Sequence, residues 1–156
     1  MTLADLLLVQ LVASSGMAAV IWFVQIAHYP LHALVPEGSF FVYHAAHLYR
    51  VSFIVGPLML VETAAASWIL FMPLTHVLAT LAWVGFGLIL MLWLSTALLQ
   101  VPCHRRLEQG YDLQALRRLV ATNWIRTVLW TGRLLIAVMM CAEIWQSAHE
   151  LQGQVR

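Results

Sequence analysis

The stretch SFFVYHAAHLYR, residues 39–50, gathers two histidines, two tyrosines and an arginine in an otherwise apolar chain. His44 and His47 lie three residues apart, so a helix presents both on one face, and neutral imidazole is the commonest metal ligand. With a helix starting near Phe41, the same stripe runs through Val51, Val55 and Leu58 to Glu62, a carboxylate able to act as base or ligand. Pro57 would bend that helix and turn its far part. A second stripe holds Asn123, Arg126, Trp130 and Arg133, and shorter polar sets end other apolar runs: Gln25, His28 and His32, then Gln100 and His104. Glu62, Asn123, Arg126 and Arg133 are the candidate catalytic groups, and His28, His44, His47 and His104 the candidate metal ligands. The metal would be iron, copper or zinc, since carboxylate and histidine ligands from facing helices build such sites in four-helix bundles. Haem fits less well, because these histidines sit near a membrane edge. Two readings stay open for each set: interfacial histidines against metal ligands, and a structural Glu62–Arg133 ion pair against proton movement or metal binding.

The elements that must carry these residues are membrane spans. The chain has 156 residues, of which 62% are hydrophobic and 10% charged. Its mean hydropathy is +0.84. Four runs reach the roughly 20 apolar residues that cross a bilayer. They cover about 6–27, 51–72, 77–101 and 119–145. Lipid cannot satisfy backbone groups and no period-two alternation is present, so the spans are helices. An all-α, integral membrane four-helix bundle follows, one domain over 1–156. The first run lacks a basic leader and reads as a retained span rather than a signal peptide.

The short connection FMPLTH makes spans two and three a hairpin, and the two longer connections share one side. Arg50, Arg105, Arg106, Arg117 and Arg118 collect there, whereas the termini and the hairpin offer Arg156. The positive-inside bias puts the long loops in the cytoplasm and both termini outside, in a bacterial inner membrane. The first long loop is expected to lie partly in the interface before rising into span two. No internal repeat is evident. The tryptophans read as belt or packing residues, Ala64–Ala66, Gly85 and Gly87 as close helix contacts, and Cys103 and Cys141 as unpaired. A formal charge of +1 with no lysine excludes nucleic acid as a partner. Phosphate-binding glycine loops, nucleophile elbows and dinucleotide fingerprints are absent.

The run VPCHRRLEQGYDLQALRRLVATNWIRTVLWTGRLLIA has a proline-led loop, a polar helix, and then NWIRT at the mouth of the last span. It resembles the anthrone-oxygenase-like family of small four-helix membrane proteins, in which a similar N-x-x-R-T pattern enters the last helix. The resemblance implies oxidation of a polyketide-like substrate by dioxygen without an added cofactor, and it implicates Asn123 and Arg126. HYP, YHAAH and Glu62 depart from that pattern. The expectation is therefore a membrane oxidoreductase or oxygenase with a His/Glu-lined site at the cytoplasmic face. Its partners would be the lipid bilayer and a lipophilic small molecule that arrives through it. Glu62 would act as base or ligand, with Asn123 and Arg126 stabilising negative charge. The rival expectation is a non-catalytic accessory subunit of a respiratory or photosynthetic complex, with a homo-oligomer or larger assembly as partner. A transporter is weaker, because so short a chain would need to oligomerise.

Overall fold

A computed structural model describes the backbone of residues 1–154 and the side chains of residues 1–150; Arg156 lies outside the described residues. Four helices, each long and apolar enough to cross a membrane, make up an integral membrane bundle. They are α1 (Leu3–His32), α2 (Glu37–Ile69), α3 (His76–Leu107) and α4 (Leu113–Gln154). Local chemistry sets their ends. Thr2 caps α1 in a reciprocal box with Asp5: Thr2 N donates to Asp5 Oδ2 at 2.8 Å and Asp5 N to Thr2 Oγ1 at 3.2 Å. Thr75 caps α3 by accepting from Leu78 N at 3.3 Å. Asp112 accepts from Ala115 N at 2.9 Å as α4 begins. The turn before it needs Gly110, whose φ of 141° suits a residue without Cβ.

The helices are longer than the apolar runs, which corrects the expected long loops. The α1–α2 connection is only residues 33–36, with Pro36 as the N-cap of α2, and residues 37–50 are already helical. Hydropathy fades where histidines, tyrosines and arginine begin, but backbone hydrogen bonding does not.

Two π-helical turns shape the histidine end, Val24–His28 in α1 and Thr96–Gln100 in α3. Each precedes an X-Pro dipeptide, and Tyr29 N and Val101 N reach back five residues to Val24 O and Thr96 O. Proline removes a donor and crowds the preceding turn, and a wider turn accommodates both effects. Pro30 and Pro102 lie two residues past their π turns, and His32 and His104 four past. The hairpins α1–α2 and α3–α4 therefore share a local pattern, a partial repeat the sequence reading did not see. The extra residue in each turn resets which face follows it.

α1 packs along α2 and α4, α3 packs along α4, and α2 against α3 is the thinnest of these neighbouring seams. Small residues at Ala13, Ser14, Ala65, Ala66, Ala82, Gly85 and Ala137 line the buried seams and permit close approach. Large apolar side chains such as Leu8, Phe23, Phe53, Leu60, Phe71 and Leu98 point outward. A helix apolar on all sides is what a lipid solvent selects. Arg50, Arg105, Arg106, Arg117 and Arg118 are all exposed at the end of the bundle that carries the π turns.

Candidate functional site

Two polar centres lie inside the bundle. The deeper one is closed. Arg133 Nε lies 2.7 Å from Glu62 Oε1, and Ser14 Oγ donates to both carboxylate oxygens, at 2.6 and 2.8 Å. All three side chains are buried. Gly85 makes room for the guanidinium: a Cβ there would meet Arg133 Nη1 at 2.6 Å. The expected partnership of Glu62 and Arg133 is thus present, on α2 and α4, with α1 supplying a hydroxyl no motif announced.

The second centre lies at the arginine-rich end. His32 and His44 are fully buried, with His32 Nε2 and His44 Nδ1 3.1 Å apart. His28 stacks on His47 with ring centroids 4.2 Å apart, and His44 on His104 at 5.4 Å. His32 lies 5.5 Å from both His28 and His47. The π turns bring His32 and His104 to the interior, and the α2 stripe brings His44 and His47. Four ring nitrogens are buried without a hydrogen-bond partner: His28 Nε2, His32 Nδ1, His44 Nε2 and His104 Nδ1. Among the described residues, no group of three or more His, Cys, Asp and Glu side chains is arranged to hold a metal. His76 and His149 are exposed, at the opposite end of their helices from this group.

Beside the imidazoles runs an amide chain. Gln25 Nε2 donates to Val120 O at 3.4 Å, Asn123 Nδ2 donates to Gln25 Oε1 at 2.8 Å, and Arg126 Nη1 donates to Asn123 Oδ1 at 3.4 Å. The α4 stripe thus divides, with Asn123 and Arg126 serving the histidine end and Arg133 the deep pair.

A cavity of about 250 Å³ opens between the helices beside the histidine group. Val51, Val55, Met59 and Trp93 line its apolar length, and Tyr29, His47, Ser52, Thr96, His104 and Arg126 are its polar residues. Glu62 and Arg133 do not line it, and neither do His28 and His44. The loose α2–α3 seam, with Ser52 and Trp93 partly exposed, gives it a side facing the bilayer. Sequence reasoning gave Tyr29 no role and left His32 out of the ligand set. The X-Pro-X-His pattern after an apolar run was the available signal for both.

No protein-family model, curated protein or solved structure matches this chain.

Proposed function

We propose that the protein is an integral membrane oxidoreductase of oxygenase type, which draws a lipophilic substrate from the bilayer into this cavity. The observation that carries the reading is the cavity itself: an apolar slot at the loosest seam of the bundle, with two imidazoles, a phenol and a guanidinium among its walls. Ligand sites are commonly apolar clefts with a few convergent polar groups. His47 and His104 have the chemistry to exchange a proton with an acidic C–H or O–H. Arg126, oriented by Asn123, meets negative charge on the bound molecule. In the proposed reaction an activated methylene takes up one dioxygen and becomes a ketone with release of one water. The N-x-x-R-T resemblance points the same way. Glu62 and Arg133 act as a packing pair in this reading, away from the substrate.

The histidines are also proposed to take a metal ion. Two nitrogens bound tetrahedrally at about 2.1 Å lie about 3.4 Å apart. The 3.1 Å approach of His32 Nε2 and His44 Nδ1 is close to that figure, and four other ring nitrogens of the histidine group have no hydrogen-bond partner. We also propose a bacterial inner membrane as its location, with the arginine end cytoplasmic, a reading the positive-inside bias of Arg50, Arg105, Arg106, Arg117 and Arg118 supports.

The test is oxygen uptake by detergent-purified protein supplied with a total lipid extract of the source membrane. Uptake by the wild type, lost in His104→Gln and in the cavity-filling Val55→Trp, is expected. Identical traces for all three would reject the oxygenase reading and favour an accessory subunit.

A further inference from the structure

α4 carries two buried arginines seven residues apart, and the bundle treats them differently. Arg133 has the Glu62 carboxylate at 2.7 Å. Arg126 is only 7% exposed, yet among the described residues no carboxylate lies within ion-pair distance of it. Glu62 is the one acid buried among those residues, and it is already engaged. The neighbours that Arg126 does have are neutral. Its Nη1 reaches Asn123 Oδ1, whose amide group is tied to Gln25. Such a chain orients a guanidinium without compensating its charge. An ionised side chain inside a membrane bundle ordinarily finds a counter-charge, because leaving it unpaired is strongly unfavourable.

We propose that the counter-charge comes from the ligand: the cavity takes a lipophilic carboxylic acid, held by its carboxylate on Arg126. This deepens, and rests on, the reading of the cavity as a ligand site. The planar guanidinium fork matches a carboxylate in two parallel hydrogen bonds. Tyr29 and His104, which line the same cavity, can add donors, while Val51, Val55, Met59 and Trp93 offer an apolar wall to the ligand body. A small inorganic anion would meet the charge and leave that wall unused. The arrangement also divides the labour on α4: one arginine is closed by the protein, and the other is kept for the ligand.

Binding to the full chain in an uncharged detergent tests this, with 1-naphthoate, the neutral 1-naphthylmethanol and acetate as probes followed by calorimetry. Wild type should bind naphthoate at least tenfold more tightly than the alcohol, and acetate should not displace it at comparable concentration. Arg126→Gln should lose that preference while still binding the alcohol, and Arg126→Lys should keep part of it. Should the glutamine variant fail to fold, the wild-type preference and the lysine variant still decide. Equal binding of acid and alcohol by wild type, or an unchanged preference in Arg126→Gln, overturns the inference. If the alcohol is at the same time lost in Val55→Trp, the cavity reading survives that failure. Neither probe distinguishing wild type from Val55→Trp removes both. Acetate competing as well as naphthoate replaces the lipophilic acid with a small anion and overturns the inference.

Discussion

Removing the Glu62 carboxylate is expected to cost this protein far more than any lipid-facing substitution, because Arg133 cannot reach water once its partner is gone. Arg133 is 1% exposed and Glu62 is fully buried, with Nε and Oε1 2.7 Å apart and Ser14 donating to both oxygens. Breaking a buried pair from one side typically costs about 3–5 kcal/mol, most of it the penalty of the stranded charge. For a chain of this size, with about 2–4 °C of Tm per kcal/mol, Glu62→Ala should melt roughly 6–20 °C below wild type. The double variant Glu62→Leu/Arg133→Met removes both charges and substitutes apolar volume. It should recover most of the loss, since such replacements are often neutral or stabilising. The assay is thermal unfolding in one detergent, followed by circular dichroism and by size-exclusion recovery after heating. A double variant as unstable as Glu62→Ala, or a Glu62→Ala variant as stable as wild type, would refute the closed-pair reasoning. The same variants separate the two roles the sequence left open for Glu62. A packing role predicts that the double variant regains ligand binding along with stability, whereas a direct part in the chemistry predicts stability without function.

Further outcomes follow from the same geometry. Gly85→Ala places a Cβ 2.6 Å from Arg133 Nη1 and 3.2 Å from Ile136 Cγ2. Overpacking of this kind costs about 1–3 kcal/mol, measurable as a lower Tm. Gly87→Ala, whose Cβ would meet nothing within 4 Å, should be neutral or slightly stabilising. Mass spectrometry of the purified protein should find iron, copper or zinc in wild type and a clear loss in His32→Ala/His44→Ala; equal metal in both would remove these two histidines as ligands. Fusions of alkaline phosphatase at the C-terminus should be active, and at the α3–α4 turn inactive; the reverse pattern would invert the proposed orientation.

Much of the architecture was legible because a bilayer imposes a length and apolarity that stand out residue by residue. The helix ends were not. α2 starts at Glu37, four residues before the start near Phe41 that the histidine stripe implied and well before the apolar run near Val51, because polar side chains at a membrane edge lower hydropathy while leaving helical hydrogen bonds intact. The Glu62–Arg133 pairing could be read from the rule that intramembrane charges seek each other. Depth along the helix axis pointed to Arg133 rather than Arg126 as the partner, since Glu62 and Arg133 lie similarly far from the arginine-rich end. Ser14 gave no signal, because one hydroxyl in an apolar span is unremarkable in composition. His32 and Tyr29 were obscured by the π turn before them, which shifts the helical register that face assignments rely on.

The most direct measurement is identification of whatever lipophilic molecule stays with the protein through gentle purification under nitrogen, followed by exposure to isotopically labelled dioxygen. The account predicts a molecule retained by wild type, absent from Val55→Trp, and carrying labelled oxygen after exposure unless His104 is replaced by glutamine. A wild-type sample that retains nothing beyond what Val55→Trp retains, or a retained molecule that takes up no label, would contradict it.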